Sequence, residues 1–223
     1  LVEAWRVAFE AASPARTFVS YKGQRNYPGR WWSATVSAHV GYESWLERDH
    51  LMLLDFDPMV AGIASQPFWL SWSTPEGKVR SHAPDYFARR ADGSAVVVDC
   101  RPLERIKPRD AAKFEATRRA CGQLGWEYRV VGAPDPIVVS NVRWLAGYRQ
   151  PRHDVPEVAA GLRGVFAEPG GLMTGARSVG DPIAVLPVLF HLLWRHELAV
   201  DVSVPLHELA VVSAPGPALG RGR

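Results

Sequence analysis

Four apolar residues, Ala95 to Val98, run without interruption and then give way to Asp99, Cys100 and Arg101. A short unbroken apolar run predicts a strand buried on both faces. Alternation along it puts Asp99 and Arg101 on one face and Cys100 on the other. Upstream, Trp45, Leu46, Met52, Leu53 and Phe56 share one helical stripe that closes before Pro58. Val60, Ile63 and the aromatic-rich residues 66–72 then predict a strand. Thr74-Pro75-Glu76-Gly77 predicts a turn, and residues 79–82 a second strand. Pro84-Asp85 opens another strand, and residues 126–131 form one more that completes the sheet. The expected order is helix, hairpin, Pro-Asp strand, acid-bearing strand, helix.

Residues 137–148 look helical and are expected to close this first domain, with residues 151–156 as a linker. Beyond it, residues 157–166 and 181–194 predict two helices. Asp181-Pro182 is a start signal for the second, with aspartate as N-cap and proline in the first turn. Val185, Leu186, Leu189, Leu192 and Leu193 supply its inner stripe. Residues 198–204 alternate like the strand end of a winged helix. The expectation is therefore a domain over 1–150, a small helical, winged-helix-like unit over 151–213 and a disordered Pro/Gly-rich tail over 214–223.

The 223 residues, 47% of them hydrophobic, suffice for one substantial core and a small second unit. The longest apolar stretch, residues 183–194, is broken by Pro187 and His191 and is too short for a bilayer. No secretory signal is visible, and leucine at position 1 leaves room for a preceding piece. Two cysteines are expected of a reducing cytoplasm and rule out both a disulfide framework and a cysteine-rich zinc module. Charge divides unevenly. Residues 1–150 hold 20 Lys and Arg against 16 Asp and Glu, a balance of +4, whereas residues 151–223 hold 6 against 7. A polyanion such as DNA should meet the first part.

The chemistry is carried by Asp85 with Asp99 and Arg101, an acid followed by an acid-any-basic triplet. Two carboxylates from neighbouring strands can share a divalent metal, as a phosphodiester-cleaving site requires. Glu43 and Glu47, four apart on the first helix, can each reach toward them. A plainer account makes Asp99 and Arg101 a surface ion pair worth under roughly 1 kcal/mol and Glu47 part of a solvated helix face. Against that, charges beside Val96 to Val98 are buried and need a partner or a metal. Basic residues Arg105, Lys107 and Lys113 follow the acid-bearing strand as phosphate candidates. Residues 16–35 mix aromatic and basic residues around Lys22-Gly23 and Pro28-Gly29, like a hairpin framing the site. Lys22, Arg25 and Arg30 are its DNA-contact candidates, with Trp31 and Trp32 packing on the core.

Residues 42–58, Gln66-Pro67, residues 82–87 and residues 98–102 together resemble the TnsA-like endonuclease subunits of heteromeric transposases, a likeness that spans about residues 18–150. The resemblance implies an α/β, restriction-endonuclease-like mixed sheet flanked by helices, of the PD-(D/E)XK superfamily. It puts the family glutamate on Glu47 rather than Glu43, the Pro-Asp aspartate on Asp85, the metal-facing strand acid on Asp99 and the motif lysine on Arg101. It implies Mg²⁺ or Mn²⁺ held by Asp85, Asp99, the carbonyl of Cys100 and Glu47 through water. It further implies cuts at the 5′ ends of a mobile element in double-stranded DNA, beside an integrase-type transposase and an ATPase regulator, in the cytoplasm on the nucleoid. Arg101 departs from the pattern because a guanidinium stays protonated and cannot serve as a base. Lys113 is the alternative as a migrated lysine. A stand-alone nuclease of restriction or repair type and a non-catalytic DNA-binding assembly subunit are the competing functions.

Overall fold

The aromatic-basic segment near the N-terminus does contain a hairpin, although its turn lies later than Pro28-Gly29. Strand β1 (Gly29–Ser33) pairs antiparallel with β2 (Ala38–Tyr42), and Gly29 opens the first strand. The turn is set from outside by Asp55, whose buried carboxylate accepts from Trp31 Nε1, Ser33 Oγ and the Ala34 and Thr35 amides. The computed structural model describes residues 3–18, 23–24 and 26–216, apart from the side chains of Trp5, Arg105 and Arg109. Lys22, Arg25, the Arg105 side chain and most of the expected tail lie outside the described residues.

Helix α1 (Trp45–Phe56) follows, capped by Ser44, and then β3 (Val60–Ser65), β4 (Leu70–Ser73), β5 (Val79–His82), β6 (Tyr86–Arg90) and β7 (Ala95–Cys100). The strand expected to continue through residue 72 is broken at Gln66, which takes a left-handed φ of 47° ahead of Pro67. As a result β4 leaves the main sheet and pairs only with β5. Helix α2 (Pro108–Gln123) and β8 (Glu127–Val131) complete the first unit. Its main sheet has the order β3-β6-β7-β8, antiparallel except for the parallel β7–β8 pair.

This mixed sheet is covered on both faces, as the run Ala95 to Val98 requires. On one side Val96 and Val98 meet Leu51 of α1 and Val40 of β2, while on the other Val97 and Phe87 meet Cys121 of α2 and Trp126. Phe9 packs against Phe68, Phe87 and Trp126 at centroid distances of 4.9 to 5.7 Å, so the N-terminal segment closes the second face.

The chain divides into compact units at Pro134 and Asp135 rather than near residue 150. Helix α3 (Pro136–Ala146) therefore opens the second unit instead of closing the first. Its Asn141 binds the Val202 and Val204 carbonyls and the Leu206 amide, which ties it to that unit's later loop. Helix α4 (Pro156–Val165), strand β9 (Gly170–Gly171), α5 (Leu172–Val179), α6 (Pro182–Trp194), β10 (Ala199–Val200) and β11 (Val211–Ser213) follow, with strand order β10-β11-β9. The strand expected over 198–204 stops at Val200 because Asp201 turns back to bind the Ser203 amide and hydroxyl. Among the described residues no helix is long and apolar enough to cross a membrane.

Candidate active site

The first unit contains a cleft of ≈ 330 Å³ whose walls include Glu47, Asp85, Asp99, Cys100, Arg101 and Lys113. Strand register accounts for part of this convergence. Tyr86 pairs with Val98, so residue 85 is carried level with Asp99, and the Cys100 amide donates to Asp85 Oδ2 at 2.7 Å. The Asp85 backbone is fixed as well, since its carbonyl accepts from the Gln66 amide at 2.9 Å. The left-handed Gln66, which costs on the order of 1 kcal/mol, is thus the residue that anchors the aspartate.

Burial pushes the Asp85 carboxyl well above the ordinary carboxylate range, and the charges of Glu47 and Asp99 push it further. The Cys100 amide and Lys113 oppose the shift. Burial also raises Glu47. Its oxygens are engaged at the helix start, accepting from the Glu43 amide at 2.7 Å and from the hydroxyl of the N-cap Ser44 at 2.8 Å. Glu43 is paired instead with Arg16, whose guanidinium donates to both of its oxygens at 3.0 and 2.5 Å. Of the two candidate glutamates, Glu47 is the one whose charge acts on Asp85.

Asp99 is only 2% exposed and is held by two groups that sequence reasoning did not find. His82 Nε2 approaches its two oxygens at 2.8 and 3.0 Å, and the Tyr128 hydroxyl donates to Oδ2 at 2.6 Å. Burial first, then the Asp99 charge, pushes the Tyr128 phenol well above its ordinary value, which keeps it a donor at any working pH. Burial and the same acids hold the Cys100 thiol far above the reactive range, so only the backbone of that residue is available for ligation.

Arg101 and Lys113 share an anchor. Arg101 Nη2 lies 3.2 Å from one Asp110 oxygen and Lys113 Nζ 3.6 Å from the other. Arg101 Nε is buried without a hydrogen-bond partner. Lys113, the alternative to Arg101, thus belongs to the same cleft wall. Among the remaining phosphate candidates, Lys107 is exposed at the start of α2, and Arg30 on β1 lines a second groove together with Arg16.

Among the described residues no group of three or more His, Cys, Asp or Glu side chains is gathered closely enough to hold a metal ion. The donor chemistry nevertheless fits a hard divalent cation. Asp85 and Asp99 flank the Cys100 backbone, all the donors are oxygens, and the mutual repulsion that raises Asp85 is what a cation would offset. Glu47 would have to leave its cap to join them.

Residues 57–132 match the family model described as TnsA-like endonuclease N terminal. The matched segment runs from just before β3 through β8 and carries Asp85, Asp99 and Arg101, and it identifies a TnsA-like endonuclease domain in this chain. No curated protein matches the chain.

Proposed function

We propose that this chain is the metal-dependent endonuclease subunit of a heteromeric cut-and-paste transposase, hydrolysing phosphodiester bonds at the 5′ ends of a mobile element. The observation that carries the reading is the single cleft shared by Glu47, Asp85, Asp99 and Arg101 within and beside the family-matched segment. Double-stranded DNA, an integrase-type transposase and an ATPase regulator are the partners that such a subunit requires.

Asp85 and Asp99, with the Cys100 carbonyl, would hold Mg²⁺ or Mn²⁺. What such a cation supplies is Lewis acidity toward both the attacking water and the departing oxygen. His82 and Tyr128 keep the Asp99 carboxylate in one orientation. Arg101 remains charged, so it does not accept the water's proton; tethered by Asp110, it offsets negative charge gathering on the phosphate. Lys113, on the same tether, shares that role. Glu47 adds negative charge to the cleft and would contact the water shell only on leaving its helix cap.

The second unit's order α4-β9-α5-α6-β10-β11, with β11 central, supports a winged-helix-like unit. Helix α6, where a base-reading helix would stand, offers no Lys, Arg, Asn or Gln between Pro182 and Trp194. A docking or bracing role fits it better than base recognition.

An Asp85→Ala protein, assayed on DNA with Mg²⁺ and the transposase partner, is expected to lose cutting while still forming the complex. Cleavage at the wild-type rate would remove Asp85 from the site and the nuclease reading with it. Cutting by the wild-type chain alone would instead assign it to stand-alone nucleases.

A further inference from the structure

Three aromatic rings outside the cleft wall, each next or next but one in sequence to a residue that lines it, have no part in the acid cluster. Tyr27 and Trp45 lie 6.0 Å apart between centroids with planes 30° apart, and Tyr42 and Trp45 lie 6.4 Å apart with planes at 31°. Trp45 is 50% exposed and Tyr27 62%. The hydroxyl end of the Tyr42 ring lies over Gly29, where any Cβ would collide with it, so the glycine makes room for the tyrosine. The Arg48 guanidinium stacks on Trp45, 4.2 Å from the ring centroid, and is braced by Asp49 at 2.6 Å.

The patch adjoins the cleft along the chain. Asn26, next to Tyr27, lines the cleft, as do Glu43 and Glu47, which stand two residues to either side of Trp45. Area argues against a protein occupant. Aromatic side chains bury about 150–250 Å² each. With about half of that already covered, the patch offers a few hundred Å², well below the roughly 800 Å² per partner of a stable protein interface. It is the size of one or two nucleobases. Flat, half-exposed rings with a stacked guanidinium are the groups on which bases stack without regard to sequence.

We infer that Tyr27, Tyr42 and Trp45 form a stacking platform for a DNA base drawn out of the duplex beside the scissile phosphate. The inference rests on the nuclease reading above. A cleft of ≈ 330 Å³ is too small for a duplex, so only the scissile phosphate and its sugar enter it, at Asp85 and Asp99. A base parked on Trp45 holds them there.

The test uses the full chain in metal-free buffer with two probes, a duplex carrying one unpaired 2-aminopurine and the same duplex fully paired. The wild-type protein is expected to bind the bulged duplex more tightly and to change the emission of the unpaired base on binding. Trp45→Leu should weaken bulged-duplex binding ~5- to 150-fold, the range for loss of one stacked base. It should leave the paired duplex unaffected, and Trp45→Phe should restore much of the difference. Tyr27→Leu, at a still more exposed position, provides the same reading should Trp45→Leu perturb folding. Equal binding of both probes by wild type and variants overturns the platform. So does self-association that Trp45→Leu abolishes, which would make a second copy the occupant. Mg²⁺-dependent cutting with the transposase partner is measured separately. Cutting without bulge preference sinks the platform alone, and bulge preference without cutting sinks the nuclease reading alone.

Discussion

Tyr128→Phe isolates one hydrogen bond in the site at almost no cost in shape. The phenol donates to Asp99 Oδ2 at 2.6 Å, within the short range of bonds to an ionised acceptor. Such a bond contributes about 1.5–3 kcal/mol. Asp99 is nearly inaccessible to water, so solvent does not replace the lost donor, but His82 still reaches the same oxygen at 3.0 Å. The loss should therefore fall at the low end, about 1.5 kcal/mol. Read as hydrogen exchange at the amides of β7, it corresponds to roughly tenfold faster exchange in the variant. The same change should weaken Mn²⁺ binding about 10–100-fold, the usual effect of removing a group that orients a metal-binding carboxylate. Paramagnetic resonance of free Mn²⁺ measures it directly. Unchanged exchange in β7 would mean that the bond is not made in solution and that the argument for Asp99 as an oriented carboxylate is wrong. Slower exchange, or tighter Mn²⁺ binding, would do so equally.

Asp55→Ala strips the acceptor from Trp31, Ser33 and the two amides of the β1–β2 turn. It is expected to cost about 3–5 kcal/mol, seen as a lower urea midpoint. His50, whose Nε2 meets the Gly132 carbonyl at 2.7 Å, is held below its ordinary value of 6.5 by burial. Its unfolded form binds the proton more readily, so its contribution to stability is intact above pH 6.5 and lost as the pH falls through 6.5 toward the lowered folded value. Urea midpoints of His50→Gln should lack that part of the slope, since glutamine keeps a donor without titrating in this window. Asp85→Asn should raise the urea midpoint of the metal-free protein at pH 7 and abolish its further rise with Mg²⁺. The raised carboxyl loses stability as the pH rises through its folded value, whereas the amide carries no charge for Glu47 and Asp99 to repel. A variant that is less stable than wild type in chelator would contradict the repulsion.

Periodicity was sufficient where one physical demand dominated. The apolar run of β7 had a single way to bury itself, and the residue pattern alone made it legible, whereas α1 forms as expected but buries Leu51, Met52 and Asp55 and leaves Trp45 of the expected stripe exposed. Two kinds of information were hidden. Gln66 breaks a continuous β pattern through a left-handed backbone that no residue type announces, which is why β3 and β4 read as one strand. Residues 169–180 contain four glycines, yet α5 forms there with Gly175 lying directly under the Phe166 ring. Helix propensity argued against that element, and close packing outweighed it.

The site divides along the same line. Asp85, Asp99 and Arg101 were legible because unpaired charges next to a buried strand are costly enough to need an explanation. Their supports were not, because His82, Tyr128 and Asp110 are ordinary residues until register brings them beside a charge. Tyr128 faces Asp99 only because β8 runs parallel to β7, with Val97 opposite Tyr128 and Asp99 opposite Val130. Asp110 explains how an arginine can stand where a lysine is usual. One carboxylate near the start of α2 holds both Arg101 and Lys113 at the cleft wall, so the position supplies two cations on a common anchor. A guanidinium cannot take a proton, but neither role assigned to the wall, neutralising phosphate charge and opposing the acid cluster, requires it to. On the proposed nuclease reading, an arginine there would leave the proton to another group while preserving the electrostatic work, which makes Arg101 compatible with a working site.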